Sequence, residues 1–253
     1  MLRTFIARMQ QGFQTISFPS DAVKLPERFR GRPDIISVGC PPDCRKCQQA
    51  CPTQAVYVKG RRLSLDLGKC LFCGACEKVC PKGSIRFSQD YQLAVRKRSD
   101  LVLSNAFLMQ AKALDKKMKK IFGRSLKLRQ VSAGGCNACE QDTNVLNIVV
   151  FDLGRFGVQF VASPRHADGI LITGPVTENM RLALEKTYEA IPSPKLVIAV
   201  GACAISGGPY MDHSQTHNGV DSILPVDLYI PGCPPHPLTI LDGLLKLLGK
   251  IEK

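Results

Sequence analysis

The stretch CLFCGACEKVCP at residues 70–81 sets Cys70, Cys73, Cys76 and Cys80 at C-x2-C-x2-C-x3-C spacing, with Pro81 directly after. The same design recurs upstream. CRKCQQACPTQAVYV (44–58) aligns with CGACEKVCPKGSIRF (73–87) at a shift of 29 residues, so residues 35–95 hold an internal repeat. Each half reads as a cysteine loop, a short helical turn and a β-rich tail. The KGRR turn at 59–62 joins VYV to LSLD as a hairpin would. The first run is Cys40, Cys44, Cys47 and Cys51, followed by Pro52; three residues separate Cys40 from Cys44 where the second run has two. The other four of the 12 cysteines are Cys136 and Cys139 in SAGGCNACEQD, Cys203 in GACAISGG and Cys233 in PGCPPHP. The chain therefore carries three sets of four with none left over.

Four soft thiolates on flexible loops are what a cubane iron–sulfur cluster requires. The run at 70–81 has the spacing of bacterial two-cluster ferredoxins, in which the fourth cysteine ligates the other cluster. That rule assigns Cys70, Cys73, Cys76 and Cys51 to one cluster and Cys40, Cys44, Cys47 and Cys80 to another. The wide first gap makes Cys40 the irregular member and implies a bulged loop. Zinc competes for any site of four cysteines, but the doubled run with its trailing prolines favours iron and sulfide. CxxC alone at Cys136 and Cys139 also suits a thioredoxin-like dithiol, which accounts for neither GAC nor PGCPP.

Bulk properties restrict the setting. The 253 residues are 45% hydrophobic, 22% charged and 6% aromatic, without tryptophan. No apolar run approaches the roughly 18–20 residues that cross a bilayer, and MLRTFIARMQQGF lacks the apolar core and cleavage site of a signal peptide. A reducing compartment is expected, where clustered cysteines bind metal rather than pair. The formal charge of +13 counts cysteines as neutral; twelve thiolates and three cubane cores would leave about +7. Such a surface suits an acidic partner, an anionic membrane face or nucleic acid. The lysines lack interleaved aromatics, so a metal-stabilised nucleic-acid-binding protein is the distant alternative and no nucleic-acid partner is expected.

Residues 1–34 read as an amphipathic helix, with Leu2, Phe5, Ile6, Met9 and Phe13 on one face, and an extended connection, FPSDAVKLPERFRGRP (18–33). Packing on its own domain is the expected fate of such a helix, with a membrane or partner surface as the alternative. Residues 35–95 form the two-cluster domain. Residues 96–125 read as a basic helical linker with RKR at 96–98, DKKMKK at 115–120 and a stop at Gly123. From 126 to 253 apolar strands alternate with helices, an α/β pattern with a buried parallel sheet. VQFVAS (158–163), GILITG (169–174), KLVIAVGA (195–202) and VDLYI (226–230) are the strands; ENMRLALEKTYEAI (178–191) and PLTILDGLLKLLGK (237–250) are the helices. The fold class is thus α+β followed by α/β. GACAISGG and PGCPPHP each follow a strand, where loops of open α/β sheets converge on ligands.

GGCNACE, FDLGRFGV, ASPRHAD, ITGPVTENM, VGACAISGG and IPGCPPHP together resemble the small subunit of group 4 energy-converting nickel–iron hydrogenases, and the related proximal-cluster subunit of respiratory complex I. The segment from FRGRP to FSQDYQLAV resembles the two-cluster ferredoxin-like subunit of the same complexes, as in formate hydrogenlyase, so the chain looks like a fusion of the two. The resemblance implies a flavodoxin-like C-terminal domain and a third 4Fe-4S cluster on Cys136, Cys139, Cys203 and Cys233. It implies an electron-transfer role with no complete active site in this chain, in a hydrogenase or in a complex I-like, quinone-linked oxidoreductase lacking nickel. The implied partners are a large subunit, a further electron carrier or soluble ferredoxin, and membrane-arm subunits. The implied location is peripheral, on the cytoplasmic side of the cell membrane. The CxxC at Cys136 is hydrogenase-like, whereas complex I subunits usually carry adjacent cysteines. Ala138 replaces a usual glycine, and Gln141 with Asp142 a usual aliphatic–glutamate pair. Glu140 and Asp142 are candidates to relay protons or pin the large subunit, with a surface or interface carboxylate the competing reading. His166 and His236 are expected to orient loops.

Overall fold

A computed structural model describes residues 2–36, 40, 41, 43–60, 62–104, 113, 114, 116–123 and 125–251, the side chain of Lys117 excepted. The chain opens with α1 (Leu2–Gln11), which buries none of its residues. The helix expected from the pattern is present, but it does not pack on its own domain. Its exposed Leu2, Phe5, Ile6 and Met9 leave the apolar face uncovered.

The internal repeat folds as two interlocked halves. β1 (Pro33–Ile35) precedes the first cysteine run and α2 (Lys46–Gln49) follows within it. β2 (Val56–Lys59) and β3 (Arg62–Asp66) form the hairpin, in register from Val56↔Leu65 to Lys59↔Arg62. Gly60, at φ +60°, supplies the left-handed turn between them. α3 (Ala75–Lys78) then repeats α2, and β4 (Ile85–Phe87) returns antiparallel to β1, pairing the start of the domain with its end. Leu63, Leu65 and Leu67 are buried beneath the hairpin.

The described residues of the segment expected to be a linker pack on one domain or the other. β5 (Val102–Leu103) adds to β3 through Leu65↔Leu103. Arg98 makes a bidentate pair with buried Asp66 at 2.8 and 2.7 Å, so this member of RKR is structural rather than solvated. Farther on, Leu114 donates to the Leu247 carbonyl, and α4 (Lys116–Phe122) buries Phe122 against the second domain. The lysines of this helix mask that apolar anchor in the sequence. Asp115 of DKKMKK lies outside the described residues.

The second domain contains β6 (Leu126–Ser132), α5 (Ala138–Asn144), β7 (Val158–Phe160), β8 (Gly169–Thr173), α6 (Glu178–Ala190), β9 (Leu196–Val200), α7 (Ala202–Ser206), β10 (Leu228–Ile230) and α8 (Pro237–Leu248). Its sheet runs β10-β9-β8-β6-β7 with every pairing parallel. Numbered within the domain, that order is 2-1-3-4-5. β8 and β9 are wholly buried, as their unbroken apolar runs require. β6 is not among the strands expected from the sequence, because Lys127 and Arg129 interrupt its hydrophobicity, although Leu126 and Leu128 are buried. α8 is buried on all sides; Asp242 and Lys246 tolerate this by pairing at 3.0 Å.

The domains meet along one edge of the sheet. Val95 and Tyr229 exchange backbone hydrogen bonds of 3.0 and 2.8 Å, extending the sheet past β10 with the last residues of the repeat. No helix among the described residues is long and apolar enough to cross a membrane.

Candidate metal centres

Cys40, Cys44, Cys47 and Cys80 line one small cavity, walled by Val58 and Leu63 and bordered by Ser84. Cys40 reaches it despite its irregular gap, and its thiol donates to Ser84 Oγ at 3.2 Å. The Cys47 thiol is pushed up by burial and by nearby Cys80 and Cys44. Burial also acts upward on Cys80, but backbone N–H groups of Ser84, Lys82 and Ile85 and the Ser84 hydroxyl outweigh it, so this thiol is lowered. Donors aimed at a sulfur favour its thiolate.

The second quartet gathers Cys51 with Cys70, Cys73 and Cys76. Burial raises Cys70 strongly, with Cys76, Cys51 and Cys73 adding repulsion. Cys76 is pushed up to about 11 by burial and then by Cys51. Thus Cys51 sits with the second run and Cys80 with the first. Main-chain donors point at these sulfurs: Phe72 N to Cys70 Sγ at 3.3 Å, Ala55 N to Cys51 Sγ at 3.1 Å and Ser84 N to Cys80 Sγ at 3.2 Å.

The third quartet comes from three segments at the carboxyl ends of parallel strands, with Cys139 in the first turn of α5 and Cys203 in that of α7. Cys136 and Cys139 follow β6, Cys203 follows β9 and Cys233 follows β10. Gly201 N donates to Ile230 O and Ala202 N to Gly232 O, both at 2.8 Å, locking the last two segments together. Two glycines make room for sulfur. A Cβ on Gly201 would stand 2.5 Å from Cys139 Sγ, and one on Gly208 2.8 Å from Cys203 Sγ. Both have positive φ, so a side chain would be strained there as well as crowded. Burial, then repulsion from Cys233 and Cys136, pushes Cys203 up to about 12; Cys139 is raised by burial and by Cys203.

Each donor set supplies the four thiols of a cubane; backbone N–H groups are directed at sulfur in the first two, and glycines make room for sulfur in the third. Among the described residues no group of three or more His, Cys, Asp or Glu side chains is arranged to hold a single metal ion. The quartets also neighbour one another in sequence order. Cys47 contributes repulsion at Cys76, and Cys73 at Cys233. Cys73, Cys136 and Cys233 are exposed.

Comparison with known proteins matches residues 39–84 to the 4Fe-4S dicluster domain and residues 136–247 to the family described as NADH ubiquinone oxidoreductase, 20 Kd subunit. A probable membrane-bound hydrogenase subunit of Pyrococcus furiosus is 41% identical over 147 residues, covering 57% of this chain and 88% of that protein. The chain belongs to the 20 Kd subunit family. An NADH-quinone oxidoreductase subunit of Heliobacterium modesticaldum is 45% identical over 121 residues, 47% of this chain and 69% of that one. Formate hydrogenlyase subunit 7 of Escherichia coli is 45% identical over 136 residues, 54% of this chain; the chain spans only 53% of that relative. These relatives are subunits of oxidoreductase complexes.

Within this 20 Kd-family domain the acidic candidates separate. Glu140 is 5% exposed and accepts from Thr173 Oγ1 at 2.6 Å, so it is not a surface carboxylate; α5 turns it inward against the end of β8. Asp142 is half-buried and raised by that burial, on the wall of a cleft with Cys233. His236 caps α8, its Nδ1 accepting from Leu238 N at 3.2 Å, and meets Phe29 edge-on. His166 is exposed on the loop after β7. Ser84, Thr173, Ser206 and Arg30 support the quartets without being ligands; each lies inside a quoted stretch of sequence, but nothing in those stretches assigns it a role. Their residue types are common, and only the fold places them.

Proposed function

We propose that this chain is an electron-transfer subunit carrying three 4Fe-4S clusters. Cys40, Cys44, Cys47 and Cys80 would hold the first, Cys51, Cys70, Cys73 and Cys76 the second, and Cys136, Cys139, Cys203 and Cys233 the third. The observation carrying this reading is the succession of quartets, linked by the proximity of Cys47 to Cys76 and of Cys73 to Cys233. Bound clusters supply one-electron chemistry; the chain's own residues fix their order and spacing. The second centre lies between the other two. The strand order 2-1-3-4-5 supports a flavodoxin-like description of the second domain.

In this reading the third centre, with exposed Cys136 and Cys233, serves a catalytic large subunit of hydrogenase or complex I type, and the first centre serves a further carrier subunit or soluble ferredoxin. The likeness to NADH-quinone oxidoreductase subunits favours a second reading, the same wire serving a quinone-linked partner without nickel. Paired CxxC motifs near both ends of the large-subunit sequence separate the two. The decisive experiment is metal and sulfide analysis of anaerobically purified protein. About twelve irons and twelve acid-labile sulfides are expected. A colourless, zinc-only preparation overturns the proposal.

A further inference from the structure

The two cysteine loops of the repeat differ in charge. Cys44-Arg45-Lys46-Cys47 aligns with Cys73-Gly74-Ala75-Cys76, so the first loop carries an arginine where the second has Gly74. Gly74 has φ +74°, a conformation that disfavours any side chain. The space above it is nonetheless filled. A Cβ on Gly74 would meet Arg30 Nε at 2.8 Å and Cζ at 3.2 Å, so the guanidinium of Arg30 lies over the loop where a side chain of residue 74 would begin. Its Nη1 donates to the Phe72 carbonyl at 3.4 Å, and Phe72 N in turn donates to Cys70 Sγ. Arg45 also donates to a carbonyl of the first loop, its Nη1 reaching Cys44 O at 3.2 Å, one residue on from the position equivalent to Phe72.

Arg30 arrives from the extended connection before β1, 42 residues ahead of Phe72. It is half-buried, in a cleft of about 230 Å³ between the domains that is also lined by Leu71, Phe72, Cys233 and His236. Its charge is therefore fixed at the junction of the second and third quartets. Partial burial leaves it less screened than a surface charge. A fixed cation favours the reduced, more negative state of a neighbouring cluster, and local charge and hydrogen bonding are among the levers that set cluster potentials.

We propose that Arg30 is the charge-tuning residue of the Cys51/Cys70/Cys73/Cys76 centre, supplying from outside the loop the guanidinium that the first half carries at Arg45. Its role is to raise the reduction potential of that centre, poising the middle of the wire against the third quartet. The proposal rests on the cluster reading above, and the test separates the two. Iron and sulfide analysis of the full-length wild-type chain comes first; a chain without clusters overturns that reading and this proposal with it. EPR-monitored redox titration then compares wild type, Arg30→Gln, Arg30→Lys and the exposed control Arg28→Gln. In Arg30→Gln one signal should shift to lower potential by about tenfold in its oxidised-to-reduced ratio, about 59 mV for a one-electron couple, with the third centre shifted less and the first unmoved. Arg30→Lys should retain most of the native value, and Arg28→Gln should shift the signal much less. A fully loaded Arg30→Gln with unshifted signals, or with all signals shifted alike, overturns this proposal alone. If Arg30→Gln fails to load, Arg30→Lys decides: near-native midpoints support charge tuning. Lowered midpoints, or loss of the same irons, show that the guanidinium fork merely holds the loop and overturn it.

Discussion

Ser206 Oγ donates to the Gly68 carbonyl at 2.8 Å, across 138 residues of sequence. Gly68 lies two residues before Cys70, and Ser206 lies on the same short helix as Cys203. One hydroxyl thus ties the second quartet's loop to the third's. The joint is tight: a Cβ on Gly68 would meet Arg98 Cζ at 2.7 Å and Ile205 Cγ2 at 2.8 Å. Ser206→Ala leaves a buried carbonyl unsatisfied, at a cost of about 1–3 kcal/mol. For a chain of this size that lowers Tm by about 2–4 °C per kcal/mol. Gly68→Ala should lower it further, because Arg98 and Ile205 must both move. Thermal melts of the loaded protein check this, and an unchanged Tm for both variants rules out a stabilising joint.

The exchange of Cys51 and Cys80 between the two runs gives a sharper test. Cys51→Ser should damage the centre built on Cys70, Cys73 and Cys76 while sparing the one lined by Cys40, Cys44 and Cys47. Cys80→Ser should do the reverse, so each variant loses about four irons, from opposite centres. Combining Cys51→Ser with Cys70→Ser should then cost no further cluster, whereas Cys51→Ser with Cys44→Ser should cost a second. EPR spectra and iron counts distinguish these patterns. If instead Cys51→Ser and Cys44→Ser injure the same centre, the interlock is wrong.

What was legible in the sequence follows from how local each signal is. The quartets, the hairpin and the repeat rest on spacing within a few residues, and cysteine is rare enough that position 80 could be matched to the first run by rule. β8 and β9 were legible because strands buried on both faces are unbroken apolar runs. β6 was not, since cations alternate with its buried leucines. The linker misled for the same reason: lysines of α4 dominate the composition while Phe122 and Leu114 do the packing. Glu140 could not be placed from sequence, because its burial depends on Thr173 at the end of another strand. Long-range polar partners leave no local pattern.

His236 gives a pH dependence whose sign is fixed. Burial lowers its imidazole below the usual 6.5, and Nδ1 accepts the N-cap bond from Leu238 N. Between the lowered value and 6.5 the unfolded chain binds more protons than the folded one, so stability rises with pH across that window. It is fully present above 6.5 and lost as pH falls through the folded-state value, where the protonated ring can no longer accept. His236→Asn keeps a capping acceptor but does not titrate. The Tm difference between wild type and His236→Asn should therefore move against wild type from about pH 7.5 to pH 5.5. A difference that stays constant over that range refutes the assignment.

The N-terminal helix is the clearest element without a role inside the chain. Residues 2–11 bury nothing, and Leu2, Phe5, Ile6, Met9 and the following Phe13 stand exposed together. Anchoring begins only afterward: Thr15 Oγ1 donates to Val149 O at 2.9 Å and Ile16 N to Val150 O at 3.0 Å. Exposed Ile148 and Val149 extend the apolar surface at that anchor. With Arg3 and Arg8 on the helix and none of its residues acidic, the segment has the composition of an interfacial helix attracted to anionic lipid. Deleting residues 2–13 should leave Tm and iron content unchanged, since no buried contact is lost. The same deletion should abolish co-sedimentation of the loaded chain with anionic vesicles. Phe5→Asp should weaken co-sedimentation strongly by putting a charge on the apolar face, and added salt only in part, because screening acts on Arg3 and Arg8 but not on the hydrophobic contact. If the deleted and full-length chains co-sediment equally, the helix does not seat on lipid, and its apolar face belongs to a protein partner.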